Sequence, residues 1–254
     1  MTPTSTPTPT RHLGWRIAGI TATVVVIGAA IVVGPALVWG SLQELDTTTK
    51  QSADTFHRVP TSISVDATTA SIVVTATDSE EVAVERSVEW ARKEPSINES
   101  WSDDALHVEL ECPNGIIDWF TDVCRIDYAA NVPEHTPVDV HQTTGDITVE
   151  GAVSDSDLTT TTGSIKATAS TAGNTSAETT TGSIDLDYAT APDDVTASVT
   201  TGDITITVPD DGAAYRVLGE THTGERDIQV VTDPAAERVI DLNSTTGDVE
   251  VAYR

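Results

Sequence analysis

A five-residue box recurs along this chain at a nearly constant interval. Thr143-Thr144-Gly145-Asp146-Ile147 is followed by Thr161-Thr162-Gly163-Ser164-Ile165 and Thr180-Thr181-Gly182-Ser183-Ile184. Thr200-Thr201-Gly202-Asp203-Ile204 and Thr245-Thr246-Gly247-Asp248-Val249 repeat it, with a worn copy at Thr221-His222-Thr223-Gly224. Successive glycines are 18, 19, 20, 22 and 23 residues apart. A period of about 20 residues marks a repeat architecture, in which each unit buries its apolar face only by stacking on its neighbours.

Apolar residues keep station around each glycine. Upstream lie Val138 and Val140, Val195 and Ala197, Ile240 and Leu242. Downstream lie Ile147 and Val149, Ile184 and Leu186, Ile204 and Ile206, Val249 and Val251. Each pair has the period of two that marks one face of a strand. The step from the upstream to the downstream pair is odd, so one straight strand would put them on opposite faces. The chain must turn or bulge at the box, and glycine accepts the positive φ such a feature needs. An earlier copy, Thr68-Thr69-Ala70-Ser71-Ile72, follows Ile63 and Val65 and carries alanine in place of glycine. No helical stripe survives beyond residue 40. The expected fold is all-β, a β-solenoid-like stack of seven copies, with an antiparallel β-sandwich as the alternative.

The N-terminus reads differently. Residues 1–13 begin with alternating Thr and Pro and are expected to form a disordered cytoplasmic tail. Arg11, His12 and Arg16 precede an apolar run from Ile17 to Trp39. At about 1.5 Å per residue this run reaches roughly 34 Å, enough to span a bilayer. Trp15 and Trp39 stand at its two ends, as interfacial aromatics do. Residues 14–40 are therefore expected to be a transmembrane signal-anchor helix with a cytoplasmic N-terminus and an exported C-terminal part. A cleavable signal peptide, giving a mature chain from near Ser41, is the rival reading. Residues 41–60 read as a stalk, and 61–254 as an extracellular β-repeat domain. Within it, 75–137 is an insertion and 138–254 the tandem repeats.

In the insertion, Val82, Val84 and Ser87 to Trp90 read as strand, as do Ala105 to Cys112 and Cys124 to Ala129. Lys93 to Asp104 is polar and reads as loop. Cys112 and Cys124 are the only cysteines, and in an exported segment they are expected to form a disulfide. Between them Ile116, Ile117, Trp119 and Phe120 form the densest apolar cluster outside the membrane run. This cluster is either a lid over the open end of the core or a candidate contact loop.

The box, its spacing and the segment Val132-Pro133-Glu134-His135-Thr136-Pro137-Val138 resemble the bacterial β-strand-repeat putative adhesins, a domain-of-unknown-function family. The resemblance runs from about Ile63 to the C-terminus. It implies a repeat domain that commonly follows one membrane helix or accompanies envelope-stress genes. No catalytic residues are assigned in that family, so none carries over, and the cysteine loop lies outside its pattern.

Net charge is -27, with 40 acidic residues against 13 basic, and no Asp or Glu precedes Glu44. Such a surface repels nucleic acid and favours cations and basic partners. The histidines (His12, His57, His107, His135, His141 and His222) are scattered, and no His-Glu-X-X-His or Gly-X-Ser-X-Gly frame occurs. Asp146, Asp203 and Asp248 could form a calcium ladder, but Ser164 and Ser183 interrupt it. Weak or non-specific binding of divalent cations is expected, with no cofactor. The function expected is a non-enzymatic, membrane-anchored cell-surface module, an adhesin or interaction scaffold for an envelope protein, surface protein or glycan. The alternative is a subunit of an envelope-stress sensor or regulator. A polysaccharide-active β-helix enzyme is the third reading.

Overall fold

The turn demanded at each box is where the chain passes from one sheet to another. The structure, a computed structural model, describes residues 47–113, 123–171 and 173–254. These residues contain strands and no helix. The chain opens with β1 (Thr48–Phe56), then β2 (Ser62–Thr69) and β3 (Ser71–Thr77). Next come β4 (Val82–Trp90), β5 (Ser96–Ser102), β6 (Ala105–Glu111) and β7 (Cys124–Pro133). Four tandem coils follow: β8 (Val138–Thr144) with β9 (Ile147–Glu150), and β10 (Ser156–Thr162) with β11 (Ile165–Ser170). The third and fourth are β12 (Asn174–Thr181) with β13 (Ile184–Tyr188), and β14 (Asp194–Thr201) with β15 (Ile204–Val208). The chain ends with β16 (Arg216–Thr223), β17 (Arg226–Ile228), β18 (Val239–Thr246) and β19 (Val249–Tyr253).

Each coil places its pre-box strand in one sheet and its post-box strand in the other. The orders are β1-β4-β7-β3-β9-β11-β13-β15-β19-β17 and β16-β18-β14-β12-β10-β8-β2-β6-β5. Coil-to-coil pairing is parallel and in register: Val140 faces Leu158, which faces Ala177, which faces Ala197. Among the described residues, antiparallel pairing is confined to β1 with β4, β4 with β7, and β5 with β6. The inner faces bury the expected pairs, Val138, Val140, Ile147 and Val149 among them. At roughly 25 cal/mol per Å² of apolar surface, this shared core supplies the main favourable term.

Several features depart from the sequence reading. Residues 48–56, expected within a stalk, form β1 and pair with β4 along its whole length. The supposed loop from Lys93 to Asp104 contains β5, whose Ile97, Glu99 and Trp101 alternate inward. Its polarity reflects an edge position, where one face stays wet. The insertion contains an eighth coil, because β6 pairs in parallel with β2 and β7 with β3. It escaped notice because its corner carries no Thr-Thr-Gly box. The copies also do not stack in chain order. β18 sits between β14 and β16, and β19 between β15 and β17. The worn box at Gly224 thus belongs to the outermost coil, which has only one neighbour to satisfy. The expected tail, membrane helix and first stalk residues (1–46) lie outside the described residues. Among the described residues no helix is long and apolar enough to cross a membrane.

Candidate interaction surfaces

The box glycines stack into one corner column. Gly145, Gly163, Gly182, Gly202, Gly224 and Gly247 hold φ between +131° and +147°. The Gly145 amide donates to the Thr162 carbonyl at 2.8 Å, and Gly163 to Thr181 at 2.9 Å, so each corner hands the ladder to the next. The glycine carbonyl is met by an inward-phase side chain instead. Thr160 Oγ1 donates to the Gly145 carbonyl at 3.3 Å, Thr179 Oγ1 to Gly163 at 3.0 Å, and Thr221 Oγ1 to Gly247 at 2.8 Å. The Gln142 amide also donates to the Gly145 carbonyl. These residues, three before the glycine, were missed in the sequence, although a polar group in the inward phase was the available sign.

The residue after each glycine has a structural task. Asp146 accepts the Ser164 amide at 2.8 Å, Asp203 accepts the Asp248 amide at 2.8 Å, and Asp248 accepts the Glu225 amide at 2.7 Å. Ser164 and Ser183 accept the next amide in the same way, at 3.4 and 3.3 Å. Asp and Ser interchange here because both offer one acceptor oxygen to an N–H. Among the described residues no three His, Cys, Asp or Glu side chains converge on a common cation position.

Cys112 and Cys124 are joined, and their bond closes the corner of the β6–β7 coil. The Cys112 amide donates to Thr68 Oγ1 at 3.0 Å, tying that corner to the next. Ile116, Ile117, Trp119 and Phe120 lie outside the described residues.

The end of the stack beside β6 and β7 holds a charged clamp that the sequence reading missed. Val82, Val84, Arg86 and Val88 share the inner face of β4, so arginine occupies an apolar register position. The guanidinium is 8% exposed. It donates to Asp54 at 2.6 Å and to both oxygens of Glu99, so β1 and β4 of one sheet are tied to β5 of the other. Tyr128 O–H donates to Glu99 at 3.1 Å. Burial opposes the Arg86 charge, but Glu99 and Asp54 outweigh it and its pKa rises. Burial, reinforced by Glu99, pushes the Tyr128 hydroxyl up as well. Beside the clamp, Phe56 meets the Trp101 ring edge-on at 5.5 Å, with Arg58 over that ring at 5.6 Å.

The outer face of the β2-containing sheet is polar from β6 to β14. In-register columns bring together His107, Ser64, Asp139, Asp157, Ser176 and Thr196 over an open hollow of about 580 Å³. A second hollow of about 500 Å³ is lined by Glu178, Ser198, Thr200, Glu220, His222 and Asn243. His141 Nε2 lies 2.9 Å from Asp139. Burial pushes the Asp139 carboxyl up; His141 opposes this, and Asp157 and Asp66 add to it. Hydroxyls, carboxylates and imidazoles at a strand spacing of about 4.8 Å suit many weak polar contacts with an extended partner.

A family model described as Toastrack DUF4097 matches residues 129–252. The Toastrack match runs from within β7 to within β19, taking in every box with a glycine. Solved structures extend the likeness. A putative cell adhesion protein from Clostridium sporogenes superposes with a TM-score of 0.51 at 11% identity, over 82% of this chain and 100% of that one. A putative adhesin from Bacteroides fragilis gives 0.44 at 12% identity, over 81% and 97%. A putative lipid binding protein from Parabacteroides distasonis gives 0.33 at 10% identity, over 81% and 97%. The first of these shows a shared fold beyond the Toastrack segment. No curated protein matches the chain.

Proposed function

We propose that this chain is a non-enzymatic cell-surface module, a β-solenoid-like stack held at the membrane by its N-terminal apolar run and used for adhesion or as an interaction scaffold. The observation that carries this reading is the division of labour between the faces. Corner and core groups go into coil-to-coil bonds, while the outer face of the β2-containing sheet presents a row of polar side chains from His107 to Thr196. A partner would be gripped by repetition, each row adding a small term. The fold shared with a protein described as a putative cell adhesion protein supports the same reading. The acidic balance favours a partner with basic groups or bridging cations.

The test uses the full chain with a C-terminal epitope in intact cells. Protease added outside should remove the epitope, and retention would place the stack inside the cell. Asp139→Lys with Asp157→Lys should then reduce attachment to envelope or host surfaces without changing surface amount. Undiminished attachment would overturn the role given to this face.

A further inference from the structure

Four strand edges end the two sheets, and they are not alike. At one end, β16 carries Gly219 at φ +84°, and β17 has only three residues. Such breaks blunt an edge against further pairing. At the other end, β5 is short, preceded by Pro95, and stops at Asp103 and Asp104, both at positive φ. The fourth edge, β1, is nine residues long and lacks proline, glycine or a positive φ. It pairs with β4 on one side without a register shift. Eight of its residues are exposed, and no described strand pairs with its other side.

We propose that β1 is a self-association edge: two copies of this chain pair antiparallel through β1 about a two-fold axis at Ser52. The register follows from length and charge together. Only when Thr48 lies opposite Phe56 of the second copy is the whole strand used. That same register sets Lys50 opposite Asp54, and Asp54 opposite Lys50. Thr49 then meets Thr55, and Gln51 meets Ala53, so no like charges face each other. Opposite charges and Thr–Thr pairs are favourable cross-strand neighbours. A parallel in-register arrangement would oppose Lys50 to Lys50 and Asp54 to Asp54. Lysine on an edge strand ordinarily deters strand addition. Here it deters every strand except one offering an acid at the matching place, which is how an edge becomes selective. Lys50 and Asp54 are already held on their face by Glu94 at 2.9 Å and Arg86 at 2.6 Å, so their positions are set before any encounter. Paired, the two sheets would become one continuous sheet, with the stacks extending away from the axis. This inference does not depend on the adhesive role.

The test is single-cysteine crosslinking of the full chain in detergent, since Cys112 and Cys124 are joined and no other thiol competes. Ser52→Cys should form a covalent dimer under mild oxidation, because residue 52 meets itself. Thr48→Cys should not, because it faces Phe56. Light scattering should give twice the 26.7 kDa chain mass after allowance for detergent. Lys50→Glu should raise the dimer dissociation constant about tenfold by setting two acids opposite each other, with the β circular-dichroism spectrum unchanged. A monomeric mass, or equal crosslinking at residues 48 and 52, would overturn the proposal.

Discussion

The carbonyl oxygen of Gly145 stands 1.8 Å from the point a Cβ on Gly163 would occupy. The relationship repeats along the corner: Gly163 with Gly182 at 1.9 Å and Gly182 with Gly202 at 2.0 Å. Each box glycine is therefore required twice, once for its φ and once because the preceding coil leaves no room for a side chain. Gly163→Ala should destabilise by about 4 kcal/mol or more, since backbone rather than a mobile side chain must yield. Gly212→Ala, with positive φ but nothing within 4 Å, should cost roughly 1–2 kcal/mol. Urea unfolding of the two variants reads the difference, and equal losses would refute the stacking account.

Arg86 and Glu99 form a buried pair whose members are 8% and 12% exposed. Arg86→Met should cost roughly 3–5 kcal/mol, because it leaves the Glu99 carboxylate buried without its cation. Arg86→Met with Glu99→Leu should recover most of that loss. Asp54→Asn should cost under about 1 kcal/mol, since Asp54 is 61% exposed and solvent-screened. Thermal melts of these variants check the ranking.

Asp139 gives a pH signature. Its folded pKa lies above the unfolded value of about 3.9, chiefly through burial. The folded chain therefore holds an extra proton between the two values, and stability falls as pH rises through that window. Asp139→Asn should stabilise by a few tenths of a kcal/mol at pH 7, a small amount because the side chain is 48% exposed. The gain should vanish below about pH 3, where both forms of Asp139 are protonated. Paired melts at the two pH values test this, and destabilisation at pH 7 would contradict it.

The disulfide replaces a box at the β6–β7 corner. Cys112→Ser with Cys124→Ser should cost about 3 kcal/mol, from the loop closed between residues 12 apart. The loss should be local at first. Hydrogen exchange should quicken in β6 and β7, while box amides from Gly163 to Gly247 stay protected. Uniform deprotection would show that this corner nucleates the whole stack.

The box and its flanking pairs were legible because their roles are local and repeated. A glycine between two odd-spaced apolar pairs has few alternatives. Arg86 was hidden for the opposite reason. An arginine on a strand normally marks the wet face, and its inward place at Val82, Val84 and Val88 makes sense only once Glu99 is opposite. β5 was hidden because an edge strand need not be apolar. The eighth coil was hidden because a disulfide, rather than Thr-Thr-Gly, makes its corner.

What the residues determined alone was the all-β class, the corner positions, the inward pairs and the cysteine pairing. These follow from spacing and from the conformations each residue type tolerates. The order of coils was decided only in three dimensions. Repeats this similar offer nearly equivalent edges, so which edge β18 and β19 take depends on what they meet there. Arg254 N–H bonds the Val208 carbonyl at 2.9 Å, and its guanidinium reaches Asp187 at 2.6 Å. Those contacts exist only when the last coil lies inside the stack, and no reading along the chain could supply them.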